Sequence, residues 1–268
     1  MQIHPLRPAT GWRWVRDAFV LLRRQPVALL AIVFLNLMLL SLSVVLPLVG
    51  SIAPLILTPG LMVGIMHAVR AADAGRMPSP ALLFAGFRDD GGNAWRPLLT
   101  LGLLNALATL SALALAALAD GGTLMRLATG QVQVDDPPVG DASLLYAAIV
   151  FVLVYTPVQM ALWYAPLLTA WHKVPPAKAM FFSFMAVLRN KGAFVVYALS
   201  WFGVAFAASF VVRVLNAMLG DSPVAMSMVL SPLSLILISA VYCSFWPTYR
   251  DAVVDARIQG ASPGSLSA

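Results

Sequence analysis

The sequence predicts an all-α, polytopic membrane protein with six transmembrane helices, and three observations predict it. Its 268 residues are 60% hydrophobic and only 10% charged, where soluble domains carry about 25% charged residues; the mean hydropathy is +0.86. Five stretches contain no Lys, Arg, Asp or Glu: Val27–Val69, Pro97–Ala119, Ala142–His172, Gly192–Val212 and Ser222–Tyr249. Fifteen of the 17 Lys and Arg lie in four segments beside those stretches, and the intervening segments hold almost none.

A helix needs about 20 apolar residues to cross roughly 30 Å of hydrocarbon. Val27–Val69 suffices for two crossings, with Pro47, Gly50 and Pro54 marking the turn; each other stretch gives one. The spans fall near 27–48, 52–69, 97–119, 144–171, 192–218 and 224–248, in a single integral membrane domain covering 1–268. Prolines 47, 54, 59, 157, 166, 232 and 247 lie in or beside them, where membrane helices tolerate proline better than soluble ones.

Charge sets the expected orientation. Arg7, Arg13, Arg16, Arg23 and Arg24 occupy the N-terminal 1–26, and Arg70, Arg76, Arg88 and Arg96 the next basic segment. Lys173, Lys178, Arg189 and Lys191 form the third, and Arg250 and Arg257 the tail 249–268. Basic segments at every second connection place both termini in the cytoplasm. The Gly-, Asp- and Pro-rich segment 120–143 then reads as an external loop. The net charge of +6 is spread over loop ends, which points to anionic lipid headgroups at the cytoplasmic face and away from nucleic acid.

Three segments look alike: Ala18 to Leu30, Ala81 to Gly92 and Ala179 to Gly192. Each is a short apolar-aromatic stretch ending in arginine plus a polar residue, directly before a span. Trp12, Val15, Phe19 and Leu22 are placed on one helical face, with Arg13, Asp17 and Arg24 toward the other; Phe181, Phe184 and Leu188 form a comparable stripe. These read as interfacial amphipathic helices, so the chain parses as three divergent repeats of interfacial helix plus helical hairpin. The stretch Thr58–Pro97, with its four arginines, joins the first copy to the second.

The segments M1-Q-I-H-P-L, G11-W-R-W, R23-R-Q-P, H67-A-V-R-A-A-D-A-G and L83-F-A-G-F-R resemble an uncharacterised family of polytopic inner-membrane proteins of proteobacteria. The likeness runs along nearly the whole chain and is strongest in the first 100 residues. It implies a bacterial inner-membrane location and six helices, and carries over no established activity and no catalytic or ligand residue.

Residues able to carry chemistry are sparse. His4, His67 and His172 are isolated in sequence, there is no glutamate, and Cys243 is the only cysteine. No pattern for a metal, a nucleophile or a phosphate loop appears, so neither an enzyme nor a cofactor is expected. Trp12, Arg23, Arg24, Trp95 and Arg96 are the expected lipid and interface contacts, since aromatics sit at headgroup level with arginines beyond them. Asn36, Asn105, Gln159, Arg213 and Asn216 are the candidate intramembrane polar contacts, the amides bonding to neighbouring helices and Arg213 snorkelling near Asp221. Gly60 and Gly64 form G-x-x-x-G, read as a close helix contact within the chain. The expected function is a non-enzymatic accessory or scaffold protein that contacts lipids, other membrane proteins or itself. The alternative is a transporter or channel-like protein for a small or lipidic substrate, which a mid-membrane charge would have favoured.

Overall fold

The computed structural model describes residues 2–3, 5–44, 50, 52–88, 95–128, 142–219 and 223–254. A two-residue strand, β1 (Gln2–Ile3), precedes α1 (Thr10–Arg24), α2 (Pro26–Val44) and α3 (Ala53–Asp73). A 3-10 turn at Pro80–Phe84 runs into α4 (Ala85–Arg88), followed by α5 (Trp95–Asp120) and α6 (Thr123–Ala128). Then come α7 (Ala142–Leu162), α8 (Ala165–His172), α9 (Pro176–Arg189), α10 (Lys191–Leu219) and α11 (Pro223–Ala252), and β2 (Val253–Val254) pairs antiparallel with β1. Six helical stretches among the described residues are long and apolar enough to cross a membrane: α2, α3, α5, α7 with α8, α10 and α11. The all-α, six-span class read from composition is therefore observed. Of the segment 120–143, residues 129–141 lie outside the described residues. At its start the Asp120 carboxylate accepts from the Gly122 and Leu124 amides at 2.8 and 2.6 Å, capping α6.

The surface is inverted relative to a soluble bundle. Phe202, Phe206 and Phe210, four residues apart on α10, are each more than 60% exposed, whereas Asn36 and Ser244 are buried. In hydrocarbon, large apolar groups gain nothing by turning inward, while polar groups must find partners inside the protein.

The chain divides into two compact units, Met1–Asn36 with Gly64–Leu83 and Ala186–Ala268, and Leu37–Val63 with Phe84–Met185. In the first, α1 packs on α10 and α11. Its buried stripe is Trp14, Val15, Ala18, Leu21 and Leu22, while Trp12 is 54% exposed. This corrects the face assigned from sequence. At roughly 100° per residue Trp12 lies about 120° round the helix from the centre of the stripe, and the large ring drew the face toward itself. On α9 the buried positions are Ala179, Ser183, Ala186 and Val187, while Phe181 and Leu188 of the stripe read from sequence are exposed and Phe184 is half-buried.

Two devices in the second unit manage helix irregularities. Pro59 lies inside α3 and has no N–H to offer the Leu55 carbonyl four residues earlier. Asn105 Nδ2 of α5 donates to that oxygen at 3.1 Å, and the backbones meet closely there because Gly102 faces the Ile56 carbonyl where a Cβ would not fit. Between α7 and α8, the buried Ser183 hydroxyl donates to the Met160 carbonyl at 2.8 Å and accepts from the Tyr164 amide at 2.9 Å. It thus stands in for the one helical bond that would have joined residues 160 and 164, which is how an inserted side chain breaks a helix.

The interfacial segments follow a common packing rule. Each opens on a Pro-Ala pair: Pro8-Ala9, Pro80-Ala81 and Pro176-Ala177. Each packs on the hairpin before it in cyclic order. The Pro80–Phe84 turn presses Leu83 against Gly64 of α3, and Phe87 of α4 covers Gly60. Through Ser183, α9 holds the α7–α8 break, and α1 packs on the last hairpin. Gly60 and Gly64 therefore serve contacts within the chain.

If the Asn105 amide is there to satisfy the carbonyl freed by Pro59, the two residues must be coupled. Asn105→Leu should destabilise the protein by about 0.6–1.7 kcal/mol, the range for interhelical hydrogen bonds in membranes. In a Pro59→Ala background, where the 59 amide can pair with Leu55, most of that loss should vanish. Reversible SDS unfolding of the four proteins in the double-mutant cycle measures the coupling.

Candidate functional site

The first unit gathers its charges at one cluster of helix ends. Arg250, near the end of α11, lies 3.1 Å from Asp251 Oδ1 through Nε, 3.5 Å from Asp17 and 4.0 Å from Asp73. Arg24 at the end of α1 donates to both the Asp73 carboxylate (2.8 Å) and its carbonyl (2.7 Å). Two indoles complete the set: Trp246 Nε1 donates to Asp73 Oδ2 at 2.8 Å and Trp14 Nε1 to Asp251 Oδ2 at 3.0 Å. With Arg16 on Asp17 at 3.3 Å, three cations face three carboxylates. The ion pairs are partly exposed, so each is worth about 0–1 kcal/mol. Trp14 carries more. It is fully buried and meets Phe194 and Tyr197 edge-on at 5.4 and 5.9 Å.

Beside this cluster, α3 ends in a Schellman turn. Gly75 adopts φ +72° and donates to the Ala72 carbonyl at 3.0 Å, while the Arg76 amide reaches Ala71 at 2.9 Å. Glycine is favoured there because a left-handed residue must close the helix. The turn sends the chain back along α3, so Arg76 lines the same cavity as His67 and Arg70, which are one helical turn apart. These three side chains, with Ser79, Met77 and Leu82 from the following segment, line an open cavity of about 400 Å³. Ser79 Oγ accepts from the Ala81 amide at 3.3 Å, a contact that does not use its hydroxyl proton.

The remaining predicted contacts are distributed over both units. Trp12 and Arg23 are exposed on α1, and Arg24 is engaged by Asp73. Trp95 is 41% exposed, with the Arg96 guanidinium 5.6 Å from its ring centroid, within cation–π range. Asn36 is buried and donates to the Tyr242 hydroxyl at 3.2 Å. Asn105 is buried; besides Leu55 it lies 3.5 Å from the Tyr155 hydroxyl. Gln159 is half-buried, Arg213 and Asn216 are exposed, and Asp221 lies outside the described residues. His172 is half-buried at the end of α8. Among the described residues no three His, Cys or Asp side chains converge as a metal site would require.

Sequence reasoning missed the Asp17–Asp73–Asp251 set and the buried Trp14 beside it. The available signal was the Trp-x-x-Asp spacing of Trp14 and Asp17 and the Trp246…Arg250-Asp251 run, but tertiary structure alone pairs them.

Over 252 residues the chain is 40% identical to a "Probable inner membrane protein" of Burkholderia thailandensis, the alignment covering 93% of each protein. No family model matches the chain, and no solved structure matches it.

The two tryptophans two residues apart should behave oppositely. Trp14→Phe keeps the ring but removes the N–H that meets Asp251, and should destabilise by about 1.5–3 kcal/mol; Trp14→Ala should cost about 3–5 kcal/mol. Trp12→Ala should stay within about 0.5 kcal/mol of wild type. Denaturant unfolding in neutral detergent reads all three.

Proposed function

The chain belongs to the same family as the Burkholderia thailandensis relative and is a multi-pass inner-membrane protein, and from that premise we propose that it is a non-enzymatic accessory or scaffold protein. Its interfacial helices grip anionic headgroups and hold it beside other membrane proteins or a second copy of itself, with both termini in the cytoplasm. The observation that supports this reading best is the pairing of exposed apolar rings with exposed cations on the same short segments. Trp12 stands beside Arg13 and Arg16, Trp95 beside Arg96, and Phe181, Phe182 and Leu188 share α9 with Lys178 and Arg189, all of them exposed. Rings at headgroup depth with guanidinium groups beyond them are how peripheral helices hold anionic bilayers. Asn36 and Asn105 spend their amides on protein partners, which favours packing over lining a substrate path.

Native mass spectrometry of protein extracted gently from its own membrane tests the role. Stoichiometric co-purification of another membrane protein supports it; a reproducibly bound small molecule without a protein partner favours transport. Orientation has its own test. On a Cys243→Ala background, Met125→Cys should react with an impermeant maleimide in spheroplasts, whereas Arg16→Cys should react only after permeabilisation. The reverse pattern would put the termini outside.

A further inference from the structure

We infer that the outer face of α7 is where a second copy of this chain docks within the membrane, with Gln159 set against Gln159 and Thr156 against Thr156. The inference deepens the accessory reading above by naming one partner. It rests on that reading only for a partner being present in the bilayer, and not on the headgroup contacts.

Three features carry it. First, α7 offers an uncovered seam. Over its 21 residues only Ala147 and Leu162 are buried. Ala142, Leu145, Ile149, Val152, Thr156 and Gln159 follow one another at alternating steps of three and four residues, the spacing by which one helix meets another along a left-handed crossing. The first five are exposed and Gln159 is half-buried.

Second, this seam carries polar groups that nothing in the chain satisfies. Gln159 and Thr156 lie within the Ala142–His172 span, away from its ends, and among the described residues neither side chain makes a hydrogen bond. Pro157, also exposed, leaves the Leu153 carbonyl one turn before it without its helical donor. Polar groups that face hydrocarbon are costly, and they bring helices together by bonding across them. The chain already shows that remedy once, where the carbonyl freed by Pro59 takes a bond from Asn105 of the neighbouring helix. Helical side chains lean toward the N-terminus, so a partner's Gln159 amide is carried back toward the level of Leu153.

Third, symmetry selects the occupant. Two copies inserted the same way are related by a two-fold axis along the membrane normal, which sets each residue near the axis opposite itself at one depth. An amide both donates and accepts, and so does a hydroxyl, so Gln159 and Thr156 each complement their own copy. The exposed column of α10 fails that condition. Phe206 and Arg213, seven residues apart, share a helical face and both are exposed. A two-fold through that face would set one guanidinium against another, a like-charge pairing that disfavours association.

The test uses the full chain. In native membranes, on a Cys243→Ala background, Val152→Cys on the seam should form a disulfide-linked dimer under an added oxidant, and Phe206→Cys, also exposed but on α10, should not. In mild neutral detergent, native mass spectrometry across a dilution series reads the dimer. Gln159→Leu should raise its dissociation constant about fivefold or more, the effect of one or two interhelical bonds in a membrane. Gln159→Asn, which keeps the amide, should raise it by less, and Thr156→Val should add to the loss. The diluted monomers of these variants should unfold in SDS like wild type, since no bond within the chain is removed.

A chain that stays monomeric at every concentration and gives no Val152→Cys disulfide overturns the inference; the accessory reading survives if another membrane protein co-purifies. A dimer that cross-links through Phe206→Cys and not through Val152→Cys lies on another face and overturns it too. A dimer indifferent to Gln159→Leu overturns it as well, because the amide is what selects this face. Val152→Cys captured in a disulfide with a different membrane protein, and never with itself, overturns the second copy as occupant while supporting an accessory role.

Discussion

A backbone carbonyl that loses its helical partner in hydrocarbon has no water to turn to, and the interior of this protein is arranged around that constraint. Pro59, Pro157, Pro232 and Pro247, inside helices, each leave such a carbonyl without its helical donor. The Leu55 oxygen freed by Pro59 is met by Asn105, and the α7–α8 break is bridged by Ser183. Each repair requires the repairing helix to come close, which fixes the positions of small residues. Gly102 lies one turn before Asn105 on the face toward α3, and Ala179 and Ala186 flank Ser183 on the buried side of α9. The buried amides thus serve the fold, because each is spent on a backbone or hydroxyl group that would otherwise be orphaned.

At the helix ends water returns and a different chemistry takes over. There, charges can stand close together at low cost, since exposed ion pairs are individually weak. The Arg250 cluster therefore draws its strength from what it borders. Trp14 and Trp246 are 0% and 4% exposed, and each needs one acceptor for its indole N–H when buried. Asp251 and Asp73 supply those acceptors, and Arg250 and Arg24 lie against the same carboxylates. The result ties α1 to the last hairpin, while β1 and β2 join the two ends of the chain beside it. A helix expected to lie in the membrane interface is built into the protein along one face, with Trp12 and Val20 exposed on the other.

How much of this was legible in the sequence follows from which signals are one-dimensional. Helical class and six spans depend on runs of apolar residues and on charge spacing, and both appear directly, whereas the α7–α8 break inside the span read as 144–171 does not. Membership of an inner-membrane family was legible through short motifs such as R23-R-Q-P and H67-A-V-R-A-A-D-A-G. The buried face of α1 was misplaced because a large exposed ring, Trp12, fits a helical stripe as well as a small buried Ala18 does, and hydrophobicity alone ranks the ring higher. On α9 the stripe read from sequence is the exposed one: Phe181 and Leu188 lie on the surface while Ser183 and Ala186 are buried, as expected where the most apolar face of a membrane helix turns outward. Neither the partner of a lone aspartate nor that of an asparagine is written nearby: Asp73 meets Trp246, and Asn36 meets Tyr242.

The Thr58–Pro97 stretch joins both regimes. Its first half is inside the bundle, with Pro59 answered by Asn105 and with Gly60 and Gly64 packed under Phe87 and Leu83. Its second half leaves the bundle through a glycine-closed helix end. The tight contact at Gly64 holds the 3-10 turn against α3, and the Gly75 turn sets how far the chain travels before it returns. Between these two fixed points the segment curls back on itself, so residues from both sides of the glycine turn, Arg70 and Arg76 among them, line one open cavity.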